Sequence, residues 1–305
     1  MKFIILGNSL FTKSIIEAIL DKNHTVELVV SLKSNNLPNN SIDLNPYLKK
    51  NNIRSLQVND INTINSIQKI KKYFPDFIIS TWPYILKNNF LKIPKYFVIG
   101  THPTNLPNHR GRHPLHWLIS MGNKKTKLSF FIMNKKIDQG NILFKQNFFL
   151  GNNINTANQN MNLAGYKAIL QILGKIKNNN FKSYKQNEKE ATYFRSRNIH
   201  DITLDPRMNY EITKRIISSF LTPNYPGARL YYDKNLFLVV CKLTKDKYEK
   251  KFNEIYEQGY VIKKSSRIIK VKFDKDIVNL YLTKKLPTKF PKRLFPPSYY
   301  YDYKK

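Results

Sequence analysis

One cysteine, Cys241, stands in a chain of 305 residues. That excludes a disulfide framework and a cysteine-rich metal site, and it fits a reducing, cytoplasmic setting. No stretch approaches the roughly 20 consecutive apolar residues that span a bilayer. The opening Met1-Lys2-Phe3-Ile4-Ile5-Leu6 turns polar too soon for a signal peptide and reads as a first core strand. The turn that follows, Gly7-Asn8-Ser9, is not a Gly-x-Gly-x-x-Gly, so the dinucleotide fingerprint is missing. Internal repeats are missing too. Acidic residues are scarce, 20 against 52 Lys and Arg, which leaves a formal charge of +32. That surplus points to an anionic partner such as a nucleotide diphosphate, a membrane surface or RNA. Its scatter among Asn and Tyr is equally what genome base composition produces.

What is present suffices for a large core: 41% of residues are hydrophobic, with 19 Phe and 19 Tyr. Apolar runs at 2–6, 25–31, 77–80, 97–99, 128–133 and 142–149 read as strands. Helical spacing marks 10–21, 62–73, 115–121 and 156–177. Strand, helix and strand within the first 30 residues imply a parallel crossover. Residues 32–60 read as polar, with a short helix or loop. From about 178 the texture turns polar and aperiodic. A helix over 208–221 then precedes five short strands, at 228–232, 236–243, 259–262, 267–273 and 277–282, the pattern of a small β-barrel. The expected organisation is an α/β domain over 1–185 with a mixed, mainly parallel sheet. A linker over 186–207, a small β domain over 208–290 and a poorly ordered tail over 291–305 follow it.

The chemistry concentrates at residues 99–117, where the strand at 97–99 feeds a loop holding His102, His109, His113 and His116, four of the six histidines. A polar loop at the carboxyl end of a buried strand is where open α/β sheets bind ligands. His109 and His113 have the four-residue spacing of a zinc helix. However, Pro114 belongs in the first turn of the next helix, which leaves both in the loop. No carboxylate lies between His102 and Asp138, so no metal is expected.

The run Thr101-His102-Pro103-Thr104-Asn105-Leu106-Pro107, then Arg110-Gly111, then Asp138-Gln139-Gly140 resembles the 10-formyltetrahydrofolate-dependent formyltransferase family. The family loop reads Asn-x-His-(Pro/Gly)-Ser-Leu-Leu-Pro-x-x-Arg-Gly, with a later Asp-x-Gly. Asp76-Phe77-Ile78-Ile79 with Tyr84-Ile85-Leu86 looks like the folate-lining segment. Pro226-Gly227-Ala228 looks like the start of the small OB-like domain of methionyl-tRNA and sugar formyltransferases. Arg110-Gly111-Arg112-His113-Pro114-Leu115-His116-Trp117 is more similar to the nucleotide-sugar N-formyltransferases. The resemblance covers nearly the whole chain.

It implies a Rossmann-like formyltransferase domain followed by an OB-like barrel, with 10-formyltetrahydrofolate as formyl donor. Formyl transfer to an amine needs a proton acceptor, an oxyanion donor and a proton for the leaving nitrogen. His102 and Asp138 are the implied catalytic pair, with a structural loop histidine and a turn aspartate as the alternative. Trp82, Tyr84, Ile85 and Leu86, with Asp138, are the implied folate contacts, with core packing as the alternative. Asn8, Ser9, Arg110 and Gly111 are the implied acceptor contacts. For Ser9 the alternative is helix capping, and for Arg110 it is pinning of the loop.

The implied acceptor is a nucleotide-linked amino sugar. Charged initiator tRNA is a rival acceptor, and an inactive formyltransferase scaffold that binds nucleic acid is another. The oligomeric state is left open, a homodimer being one option. One departure stands out: the family places an Asn two residues before the His, and here that position is Gly100. Thr101, Asn105, a loop backbone N–H or protonated His102 are the candidate replacements for its amide.

Overall fold

Apolar runs without alternation belong to strands covered on both faces, and such runs form the centre of the larger sheet. The protein is described by a computed structural model over residues 1–33, 35, 37–38, 41–177, 182–246 and 255–300. Strands β1 (Lys2–Leu6), β2 (Thr25–Leu32), β3 (Arg54–Val58), β4 (Phe77–Ser80) and β5 (Phe97–His102) are parallel. After the two-residue strand β6 (Arg110–Gly111), β7 (Lys125–Ile132) and β8 (Ile142–Phe149) join antiparallel, giving the order β3-β2-β1-β4-β5-β7-β8. A second two-residue strand, β9 (Tyr193–Phe194), pairs with β6 in parallel.

Ile4, Ile5, Ile78 and Ile99 are almost completely buried in this sheet. Each such side chain contributes about 1.5–3 kcal/mol by leaving water. Helix α1 (Leu10–Leu20) follows β1 directly. Ser9 caps it by accepting from the Thr12 amide, and Phe11, Ile15, Ile16 and Ile19 form its buried stripe. Short helices α2 (Asn45–Lys50), α3 (Ile64–Lys71) and α4 (Asn88–Leu91) fill the crossovers. The strand order reverses between β1 and β4, so Gly7-Asn8-Ser9, Thr81-Trp82 and the end of β5 lie at the carboxyl edge where such sheets bind ligands.

Most elements agree with the pattern, but β3, β5 and residues 186–207 differ from it. β3 falls within a stretch read as polar, because it is an edge strand with only Val58 buried. β5 runs three residues past the expected end at 99, so His102 ends a strand instead of standing in a loop. Residues 186–207 do not behave as one linker. The chain forms two compact units, the first holding 1–114, 124–151 and 156–195, the second 115–123, 152–155 and 196–305.

Within the second unit, helix α5 (Pro114–Ser120) contributes His116, whose ring stacks on Phe220 at 4.4 Å and whose Nδ1 bonds the Ser219 carbonyl. The Arg197 guanidinium sits 4.3 Å from the Trp117 ring centre and 4.7 Å from that of Phe220. Helix α7 (Tyr210–Ser219) and strands β10 (Ala228–Asp233), β11 (Leu236–Lys245), β12 (Val261–Ser265), β13 (Ile268–Phe273) and β14 (Asp276–Leu282) complete it. Leu230, Val240, Ile269, Val271 and Leu280 are core residues there. The described strands pair antiparallel in the order β10-β11-β14-β13-β12, a five-stranded sheet consistent with the small β domain expected there. The expected disordered tail is instead folded through Tyr300, with Leu294 and Tyr300 buried. Among the described residues no helix is long and apolar enough to cross a membrane.

Helix α6 (Ile154–Lys177) carries two glycines in opposite settings. A Cβ at Gly165 would lie 2.4 Å from the Phe11 ring, whereas one at Gly174 would meet nothing within 4 Å. Gly174→Ala is expected to raise stability by about 0.4–1 kcal/mol through lower unfolded-state entropy. Gly165→Ala is expected to lower it by about 1–3 kcal/mol through overpacking. Urea unfolding of the two variants checks the opposite signs.

Candidate active site

The end of β5 places the His102 side chain against the loop that follows it. His102 is 5% exposed, and its Nε2 lies 2.8 Å from the carbonyl oxygen of His109. A carbonyl only accepts, so Nε2 carries a proton. The other ring nitrogen, Nδ1, faces Asp138 Oδ2 at 3.6 Å, an ion-pair distance longer than a hydrogen bond. Asp138 adopts a left-handed φ of 55° in the β7–β8 turn. Its Oδ2 accepts from the Gly111 amide at 3.0 Å, while Oδ1 has no hydrogen-bond partner among the described residues. The sequence-predicted pair is therefore together, with one carboxylate oxygen open.

Arg110 was expected to contact the acceptor, and the structure assigns it elsewhere. Its side chain is fully buried, and all five guanidinium N–H groups are used. Nε and Nη2 donate to Gln186 Oε1, Nη1 and Nη2 grip Glu188 bidentately at 2.9 and 2.8 Å, and Nη1 reaches the Tyr193 hydroxyl. This pairing holds the Glu188 carboxyl below its usual value. Gln186 in turn donates to the carbonyls of Asp138 and Gly140 at 2.8 and 2.7 Å. The guanidinium thus fixes the Asp138 turn from beneath, while the next residue, Gly111, fixes the carboxylate. Gly111 has a φ of 101°, and a Cβ there would lie 2.4 Å from the Phe194 carbonyl oxygen. Gln186, Glu188 and Tyr193 fell in or beside the expected linker. A run without periodicity carries no sign that it will be drawn in around a buried charge.

Ser9 spends its hydroxyl on the α1 cap, which corrects its expected role. Among the described residues the Asn8 side-chain amide has no hydrogen-bond partner, and neither residue bonds to His102 or Asp138. Leu86 is 3% exposed and packs in the sheet core with Phe90 and Val98, so its expected folate contact is also corrected. Trp82 is half-buried beside that core, whereas Tyr84 and Ile85 are 55% and 61% exposed. These three offer the apolar surface that a flat ring requires. Met133 links the regions, packing against the Trp82 cluster and also against Leu106, Phe131 and Ile142.

The space that an amide at position 100 would need is filled. A Cβ on Gly100 would lie 2.6 Å from the Phe131 ring and 2.7 Å from the Met133 side chain. One of the candidate replacements is committed elsewhere: the Thr101 hydroxyl donates to the Ser80 carbonyl at 3.3 Å. Asn105 Oδ1 accepts from Lys145 Nζ, which also bonds the Leu106 carbonyl and pins the loop, and this leaves the Asn105 Nδ2 donor unused among the described residues. Burial depresses the Lys145 pKa. No group of three metal-ligating side chains occurs among the described residues.

The His109 ring stacks on Phe194 at 4.5 Å and 1° between planes, and its amide donates to the Thr192 hydroxyl. Burial, and then the neighbouring His102, holds its pKa below the ordinary 6.5. The unfolded chain therefore binds a proton near pH 6.5 that the folded chain still refuses. Stability is expected to fall as pH drops through this window toward the lower folded value, and to be regained above it. His109→Asn, which tolerates the left-handed φ of 62°, should flatten that slope in thermal midpoints measured from pH 5 to 8. Gly100→Asn is expected to destabilise by about 1–3 kcal/mol by displacing Phe131 and Met133, without a gain in activity. Chemical denaturation beside a rate assay tests both halves.

Residues 1–172 match the family model described as formyl transferase. Over 202 residues the chain is 27% identical to the methionyl-tRNA formyltransferase of Alkaliphilus oremlandii, covering 63% of this chain and 64% of that protein. The chain thus spans under two thirds of the length of the first curated relatives it matches. The methionyl-tRNA formyltransferase from Clostridium thermocellum superposes with a TM-score of 0.60 at 22% identity, over 81% of this chain and 95% of that one. The N-formyltransferase from Helicobacter canadensis, in complex with folinic acid and dTDP-3-aminofucose, gives 0.66 at 18% identity, over 92% and 99%. The motif at 101–111, the distant Asp138 and the family match over more than half of the sequence agree: the chain belongs to the formyl transferase family.

Proposed function

We propose that the protein transfers the formyl group of 10-formyltetrahydrofolate to the amine of a nucleotide-linked amino sugar. The observation that carries this reading is the His102–Asp138 pair, held by the Gly111 amide with Asp138 Oδ1 left open. The donor supplies an activated formyl carbon. Trp82, Tyr84 and Ile85 provide its apolar resting surface. Asp138 Oδ1 accepts the proton that the attacking amine releases. With position 100 closed to an amide, the oxyanion donor is the Nε2–H of His102, which exchanges the His109 carbonyl for the formyl oxygen. When Asp138 passes that proton on to Nδ1, the imidazolium so formed, balanced by the restored carboxylate, gives its Nε2 proton to the leaving nitrogen.

The amino-sugar acceptor is supported by the run Arg110 to Trp117 and by the H. canadensis enzyme, whose alignment extends over 92% of this chain. A second reading, formylation of methionyl-tRNA, is favoured by the name of the curated relative and by the charge of +32. The two differ in salt response, since RNA binding releases counterions and weakens steeply with salt.

A transfer assay against nucleotide-linked amino sugars and charged initiator tRNA, read by mass, decides between them. Asp138→Asn and His102→Asn are each expected to lower the rate about 10²–10⁴-fold, while binding of the folate donor persists. Formylation of tRNA alone would replace the sugar reading with the second. Absence of transfer to any amine would leave an inactive scaffold, and formate release without an acceptor would mark a hydrolase.

A further inference from the structure

The second unit holds an open cleft of about 600 Å³, lined by residues outside the candidate active site. Its wall is built by residues 288–300, the segment that composition marks as a tail. Phe295 and Tyr299 stack at 4.3 Å and 21°, and Tyr300 stands edge-on to Tyr299 at 5.6 Å. The Tyr300 hydroxyl accepts from the Phe295 amide at 3.0 Å, so the turn is locked to its own aromatic cluster. Tyr232 and Phe290, 5.2 Å apart, form the opposite aromatic pair. These rings are not all consumed by the core, since Tyr299 is 69% exposed.

Charge around the cavity is predominantly positive. Lys264, Lys289 and Arg293 line it with one carboxylate, Asp233. Lys264 Nζ is held by the Phe290 carbonyl, and Arg293 lies over the Phe295 ring at 5.1 Å with Nη1 on Glu257. The Lys289 side chain is exposed. A preformed aromatic wall beside several cations suits a ligand that is flat at one end and anionic at the other. The volume lies within the usual range of small-molecule sites, roughly 300–1,000 Å³. An aliphatic phosphate would leave the rings unused, and an uncharged ring would leave the cations unused.

We infer that this cavity binds a nucleoside phosphate, its base against the exposed Tyr299 ring that Phe295 backs and its phosphate among Lys264, Lys289 and Arg293. Asp233 faces the base or ribose as an acceptor. The ligand's source is either a free nucleotide or a terminal nucleotide of RNA, and the inference does not depend on the formyl-transfer reading.

The test is calorimetric titration of the full chain with AMP, UMP, adenosine, inorganic phosphate and a single-stranded RNA hexamer. AMP or UMP is expected to saturate a site. Adenosine and phosphate are each expected to bind at least about tenfold more weakly, as loss of a base stack or a phosphate contact predicts. Tyr299→Ala and, separately, Lys264→Ala with Lys289→Ala should each weaken nucleotide binding about tenfold. Both variants change exposed side chains, and their thermal midpoints monitor folding. A hexamer that binds more tightly than either mononucleotide, with the same sensitivity to Tyr299→Ala, identifies RNA as the source; equal affinity identifies the free nucleotide. Absence of saturable binding by all three nucleotide probes, or binding unchanged in both variants, overturns the inference. Asp138→Asn separates it from the catalytic site, since nucleotide binding lost in that variant and kept in Tyr299→Ala also overturns it.

Discussion

The Arg110 guanidinium is the interaction on which the candidate site of the first unit depends. Burying a charge is costly unless every donor is matched, and here five N–H groups meet Gln186, Glu188 and Tyr193. The residues that satisfy it come from about 80 positions later, so the segment after α6 is bound back onto the loop after β5. Gln186 carries the restraint onward to the carbonyls of Asp138 and Gly140. Arg110 and Gly111 therefore divide one task between side chain and backbone: the first holds the turn that presents Asp138, the second holds its carboxylate.

That arrangement explains how Asp138 keeps a left-handed backbone conformation, which is uncommon for residues other than glycine although aspartate tolerates it better than most. Strain of this kind persists when surrounding contacts over-determine it, and three hydrogen bonds, two to backbone carbonyls at 138 and 140 and one to the carboxylate, do so here. The result is a carboxylate aimed at His102 with one oxygen unspent. His102 is equally constrained, because the His109 carbonyl fixes which nitrogen carries the proton. The acid–base role proposed for it requires an exchange of hydrogen-bond partner, and the loop that supplies the present one is pinned by Lys145.

Position 100 gives the site its individual character. A strand residue facing Phe131 across a β-ladder has little room when that ring and Met133 lean over it. The absence of a side chain is thus a packing decision shared by three residues. Its chemical consequence is that no side-chain amide donates from position 100. Met133 also borders the half-buried Trp82, so the same apolar filling adjoins the surface proposed for the donor.

Most elements were legible in the sequence because their periodicity is strong, as in the uninterrupted apolar runs of β1 and β4 and the stripe of α1. Edge strand β3 was not, since one buried residue in five makes no pattern. The loop motif and the distant Asp138 were enough to nominate two residues that the fold brings together, because the chemistry expected there demands particular residue types. The roles of Arg110, Ser9 and Leu86 were decided only by the tertiary structure. An arginine in a loop, a serine after a strand and a leucine in a turn read alike whether they face a ligand or the interior. What separates the two cases is which distant groups arrive beside them. For Arg110 these are a glutamine, a glutamate and a tyrosine, contributed by a stretch whose own sequence carries no sign of the charge it will enclose.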